Sequence, residues 1–196
     1  MDEERVGKLL KRAAKDGARR AERGLGRLVG QHITVEVPSI RFGTKWDACD
    51  ALGGAEQVAL GAYFEVDGDF AGHVMLLFPE RQALDCVDLM SGNSPGTATL
   101  DDLAESAITE LGNIVGSAFV NALADTAALT LQPSPPVLVH DMAMALIESV
   151  YAEILISGND IVILDTLFED RAGRTAGLLI VAPDAAALQK LEALAA

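Results

Sequence analysis

The sequence predicts an α+β fold: one internally duplicated, pseudo-two-fold domain with a six-stranded, mostly antiparallel sheet and two long helices packed together on one face. Three observations predict it. Helical and strand-like hydrophobic patterns occur in the same order in both halves of the 196 residues. The turn-rich segment Ser91–Thr97 (SGNSPGT) separates those halves. Finally, Val74-Met75-Leu76-Leu77-Phe78-Pro79-Glu80 is matched in kind by Leu178-Leu179-Ile180-Val181-Ala182-Pro183-Asp184. Repeat 1 spans about 3–92 and repeat 2 about 98–196. Each half has one long helix and about three strands, too little to cover both of its apolar faces, so the two must join.

The first element is a helix with Val6, Leu10, Ala13, Ala14, Ala21, Leu25 and Leu28 on its apolar side and Gly30 as its C-cap. An alternating strand follows (Ile33, Val35, Val37) and ends at Pro38. Val58–Val66 and Phe70–Phe78 form a hairpin around Asp67-Gly68-Asp69. Pro79 and Glu80 open a helix to about Met90, proline suiting a first helical position. In the second half a helix covers roughly Leu100–Ala124 and a short strand Leu129–Leu131, and Asp141 caps a helix to about Glu153. A second hairpin joins Ile161–Phe168 to Gly177–Ala182 through Asp170–Gly173, and Pro183-Asp184 starts the last helix.

Composition narrows the function. Half the residues are apolar, which excludes a disordered chain. The formal charge of −14 disfavours nucleic-acid binding unless a basic patch is segregated. Residues 1–30 hold nine of the 15 basic side chains and carry a local +4, while the remaining 166 residues carry −18. That basic helix reads either as a solvated face offsetting an acidic body or as a docking strip for an acidic partner. Cys49 and Cys86, the only cysteines, have no ligand-like spacing, so neither a disulfide scaffold nor a thiolate zinc site is expected. The charged N-terminus lacks a signal-peptide h-region, and no apolar run approaches the roughly 20 residues of a membrane span. These features fit a cytoplasmic protein without membrane insertion.

The stretch Leu100–Met142 carries the chemistry. Ala107, Leu111, Val115, Ala118 and Ala122 share one face of its helix, with Ile108 and Phe119 just beyond. Ser106, Glu110 and Asn113 lie within about 60° of one another along the edge of the opposite side. The helix therefore buries one face and presents a carboxylate and a carboxamide one turn apart. Gly112 and Gly116 beside them each cost about 1 kcal/mol relative to alanine, which calls for a close approach of another helix or backbone.

The spacing Ser106-x3-Glu110-x2-Asn113-x22-Pro136 resembles the Asp/Ser-x3-Glu-x2-Asn-x22-Pro motif of the CheC/CheX/FliY chemotaxis phosphatases, and CheC most of all. The flanking Glu110-Leu111-Gly112-Asn113-Ile114 and Asp141-Met142 are also similar to that family, as is the duplicated layout. The resemblance implies dephosphorylation of the aspartyl-phosphate of a CheY-type response regulator. In that family the glutamate pairs with the lysine beside the regulator's phosphorylation site, and the asparagine orients a water for in-line attack. Carried over, Glu110 docks the regulator and Asn113 orients the water, while Ser106 and Pro136 support them. The regulator supplies the magnesium ion, so the chain needs no cofactor or metal ligand of its own.

One part of the pattern is missing. Many CheC-like proteins carry the motif twice, but counting back from Pro38 by the same intervals gives Lys8, Arg12 and Lys15. The first site is therefore degenerate and has no hydrolytic role. This loss leaves an alternative function open: a non-catalytic adaptor that binds the regulator or the CheD receptor deamidase typical of the family. Weaker signals resolve into structure: Asp67-Gly68-Asp69 lacks the later EF-hand ligands, His140 is a strand-end residue, and Trp46 belongs to the core or its rim.

Overall fold

The structure, a computed structural model, describes residues 3–69, 71–154, 161–171 and 173–195. Phe70, the expected start of a strand, and residue 172 of the second hairpin turn lie outside the described residues.

Helix α1 (Glu3–Val29) buries Val6, Leu10, Ala13, Ala14, Ala21 and Leu25. Leu28, expected on the same side, is half exposed, and Val29 packs against the core in the last turn instead. Gly30 closes the helix with φ +72° and donates its N–H to Gly26 at 3.0 Å, a left-handed cap that glycine adopts without strain. Strand β1 (Thr34–Gly43) does not stop at Pro38. Its register against β6 (Ile161–Glu169) shifts between Glu36 and Ser39, and the bulge accommodates the proline, which lacks an N–H, on what is an edge strand.

Helix α2 (Lys45–Ala51) was not apparent in the hydrophobic pattern. A capping box starts it: the Thr44 hydroxyl accepts from the Asp47 N–H, and the Asp47 carboxylate accepts from the Thr44 N–H at 2.7 Å. The hydrogen bonds from Thr44, side chain first, hold the Asp47 carboxyl below its ordinary range. The first hairpin is β2 (Val58–Gly68) with β3 (Gly72–Pro79), followed by α3 (Glu80–Ser91).

The second half comprises α4 (Asp102–Ala127), β4 (Leu131–Pro133), β5 (Val137–Met142), α5 (Ala143–Ile154), β6, β7 (Arg174–Pro183) and α6 (Ala185–Ala195). Asp101 caps α4, its Oδ1 accepting from the Ala104 N–H at 2.9 Å. Leu129, expected in a strand, instead donates its N–H to Ala124 at the end of α4, so β4 begins two residues later. Asp141 is likewise not an N-cap: it pairs with Ala59 inside β5, and α5 starts at Ala143. Asp184 does cap α6, accepting from Ala187 N–H at 2.6 Å.

The sheet has seven strands, not six, and every pairing is antiparallel. They occupy six positions in the order β1-β6-β7-β3-β2, with β4 and β5 following one another along the free edge of β2. The proline-rich Pro133–Pro136 segment divides what would otherwise be one edge strand. The long helices α1 and α4 pack on one face over the larger core, which includes Leu10, Leu25, Phe64, Phe78, Leu111 and Phe119. A smaller core on the other face, with Leu52, Met75, Ile147 and Ile163, is covered by α2 and α5. Among the described residues α4 alone is long and apolar enough to cross a membrane by length and composition, yet it lies against α1 and the sheet.

Candidate active site

The position of α4 follows from residues that lack side chains. A Cβ on Gly112 would stand 2.2 Å from the Ala62 Cβ, and one on Gly116 would stand 2.5 Å from the Phe64 ring. Both glycines thus let the helix lie directly on β2. On its other side, Gly24 of α1 leaves room for Ile114, and Gly17 of α1 faces the Phe119 backbone. The close neighbour that the two α4 glycines require is therefore the sheet, while α1 supplies matching glycines for its own contact with α4.

Held this way, α4 leaves Glu110 exposed and Asn113 half-buried beside it. The Asn113 Nδ2 donates to Glu110 Oε2 at 3.5 Å, and the Ser117 hydroxyl donates to Asn113 Oδ1 at 3.4 Å. Both bonds are long and therefore weak. Ser117, one turn beyond Asn113, was not among the residues singled out from the sequence. Its i+4 spacing was the available signal.

Ser106 is exposed one turn before Glu110, and its hydroxyl makes no hydrogen bond among the described residues. Pro136 is half-buried in the break between β4 and β5, both of which α4 touches. Ser134 anchors that break: its N–H donates to Glu65 at 2.8 Å and its Oγ accepts from the Glu65 N–H at 3.0 Å. Lys8, Arg12 and Lys15 are all exposed on α1, Lys8 paired with Glu4 at 2.7 Å.

The remaining candidates take structural places. His140 sits within β5, not at its end, with its Nε2 2.6 Å from Glu80. Trp46 is 59% exposed on α2, outside the core, with the Lys45 ammonium over its ring. Both cysteines are free and buried, and burial pushes the Cys86 thiol far up. Among the described residues no group of three or more His, Cys, Asp or Glu side chains is placed to hold a metal ion.

Chemically, an accessible carboxylate beside an amide suits a large partner that brings its own reacting group. Glu110 offers a charge to pair, and Asn113 offers a donor and an acceptor to hold a small polar molecule.

Residues 103–140 match the CheC-like family, a segment that contains Ser106, Glu110, Asn113 and Pro136. The chain is 28% identical over 169 residues to the CheY-P phosphatase CheC of Bacillus subtilis, covering 84% of this chain and 80% of that one. Its fold is similar to Thermotoga maritima FliY (TM-score 0.77, 16% identity, 99% and 96% covered). It is also similar to a chain of the CheX-CheY-BeF3-Mg+2 complex of Borrelia burgdorferi (TM-score 0.52, 15% identity, 87% and 96% covered). The chain thus resembles the CheC/CheX/FliY chemotaxis phosphatases in sequence, in its family segment and in fold.

Proposed function

We propose that the protein acts in chemotaxis by hydrolysing the aspartyl-phosphate of a CheY-type response regulator, with Glu110 docking the regulator and Asn113 orienting the attacking water. The observation that carries this reading is the Glu110–Asn113 pair, set side by side on an accessible face of α4 within the CheC-like segment.

The chemistry asks little of this chain beyond placement. Water attacks phosphorus in line, the P–O bond to the regulator's aspartate breaks, and inorganic phosphate and a free carboxylate result. A loose phosphoryl-transfer transition state gains most from positioning and charge stabilisation. An amide neither takes nor gives up the proton, but its Oδ1 accepts from the water while Nδ2 donates to a phosphoryl oxygen. In the free protein those two groups are occupied by Ser117 and Glu110 through weak bonds. Pairing of Glu110 with a regulator lysine, which the family resemblance implies, draws the carboxylate away and releases Nδ2. Docking and activation of the amide are then one event. Magnesium belongs to the regulator, and this chain supplies no ligand for it.

The first site, with Lys8, Arg12 and Lys15 at the motif positions, does not hydrolyse. Its loss favours a second reading, an adaptor that binds the regulator or a CheD-type deamidase without turnover. We also read the chain as an internal duplication. Exchanging β1 with β5, β6 with β2 and β7 with β3 leaves the sheet order unchanged, which supports that reading.

The test is phosphate release from a phosphorylated cognate regulator. Asn113→Ala is expected to lower the rate about a hundredfold with the fold intact, and Glu110→Ala to raise KM. Regulator decay that is equally fast with and without the wild-type protein would leave only the adaptor.

A further inference from the structure

We propose that the groove between α1 and β1 docks an acidic segment of a partner protein. The groove has a volume of about 720 Å³, and Lys11, Lys15 and Arg19 line its α1 side. None of these three cations meets a carboxylate among the described residues, although the chain has 29 acidic side chains. Two other cations of the same helix do have carboxylate partners. Lys8 pairs with Glu4, and Arg20 pairs with both Asp16 and Asp125.

The groove's own carboxylates are already engaged. Glu22 accepts the Val35 N–H at 3.1 Å, and Glu36 faces Arg174 at 3.7 Å. Three cations against two carboxylates leave the lining of the groove net cationic.

Shape and charge select the occupant. A membrane is planar and does not enter a groove walled by a helix and a strand. A nucleic-acid duplex would extend past α1 over a body that carries −18, where its phosphates are repelled. A short acidic stretch of polypeptide lying in the groove places its carboxylates along Lys11, Lys15 and Arg19. The surrounding acidic body then restricts binding to segments that stay within the groove. This surface is separate from Glu110 and Asn113, and the inference stands whether or not those residues hydrolyse a phosphate.

The experiment uses a fluorescein-labelled decapeptide of alternating Asp and Glu, titrated with the full chain and read by fluorescence anisotropy at low salt. Lys11→Glu/Lys15→Glu/Arg19→Glu is expected to weaken binding about tenfold or more. Arg23→Glu/Arg27→Glu/Lys45→Glu makes the same charge change away from the groove and is expected to weaken it no more than about threefold. Far-UV circular dichroism checks that both variants fold, and Lys11→Gln/Lys15→Gln/Arg19→Gln repeats the test without added repulsion. Equal loss in the groove and control variants would overturn the proposal, reducing the effect to net charge. Tighter binding of a 20-base-pair duplex or of phosphatidylglycerol vesicles than of the peptide would overturn it as well.

Discussion

Replacing Gly112 by alanine probes how the sheet sets the active helix. In an open helix the change is favourable by about 1 kcal/mol, because alanine loses less backbone entropy. At Gly112 the new Cβ would stand 2.2 Å from the Ala62 Cβ. Carbon atoms pack at about 3.5–4.0 Å, so α4 or β2 must give way by more than an ångström. Neither atom has a rotamer through which to escape, which places the cost at the top of the range of about 1–3 kcal/mol for overpacking. After the propensity gain, a net loss of about 2 kcal/mol remains, or a fall in Tm of roughly 4–8 °C for a chain of this size.

Gly7 is the internal control, since nothing lies within 4 Å of a Cβ added there. Gly7→Ala is expected to stabilise by up to about 1 kcal/mol. Adding Ala62→Gly to Gly112→Ala removes the clash and is expected to recover part of the loss. Urea and thermal unfolding of the four proteins measure these differences. If Gly112→Ala proved as stable as wild type, the close seating of α4 on β2 would be refuted, and with it the account of how Glu110 and Asn113 are held.

Two further predictions concern the site and its frame. Ser117→Ala removes the hydroxyl bonded to Asn113 Oδ1 and is expected to lower the phosphate-release rate several-fold at unchanged KM, with stability altered by about 1 kcal/mol or less; a KM effect alone would refute it. Asp88→Asn is expected to destabilise by about 2–3 kcal/mol at pH 7, because the fully buried Asp88 carboxylate accepts from the Gly96 and Thr97 N–H groups and the Thr97 hydroxyl. Burial raises the Asp88 pKa, but these bonds and one from the Ala98 N–H outweigh it and hold the carboxyl below its ordinary range. A depressed folded pKa contributes its stability fully above the unfolded value of about 3.9 and loses it as pH falls through the folded pKa. The urea-unfolding difference between wild type and Asp88→Asn is therefore expected to shrink below about pH 4, and a difference independent of pH would refute the assignment.

What could be read in advance divides along physical lines. The long helices and both hairpins announce themselves because each buries one face continuously, so their apolar residues repeat at the helical or strand period. The Glu110–Asn113 strip was legible for the same reason, as the polar remainder of a strongly patterned helix. Strand β5 was not: Val137 and His140 to Met142 are exposed or edge-facing, so no alternation marks them, and Asp141 looks like a helix cap until β2 claims it. Helix α2 is only seven residues long, and Thr44-x-x-Asp47 was its single local signal. Pro38 looked like a strand end because the bulge that absorbs it depends on β6, more than 120 residues away. Ser117 is marked only by its i+4 spacing from Asn113, a weak signal because its contact is with one amide and not with a buried face.

The two glycine pairs connect these levels. Catalysis by positioning demands a carboxamide whose backbone does not drift, since a misplacement of about 1 Å costs on the order of a hundredfold. A surface helix resting on bulky side chains slides as those side chains change rotamer. Here Gly112 and Gly116 bring α4 onto Ala62 and Phe64 of the sheet, while Ile114 is seated against Gly24 of α1. The helix is gripped on two sides within five residues, and Asn113 lies between those grips. The amide and the carboxylate beside it are joined by a long, weak bond, which in the proposed mechanism a docking lysine breaks. Backbone rigidity and side-chain release thus come from the same short stretch of sequence, Glu110 to Ser117. The Lys11–Arg19 side of α1 has no equivalent amide, and its open cations suit binding without turnover.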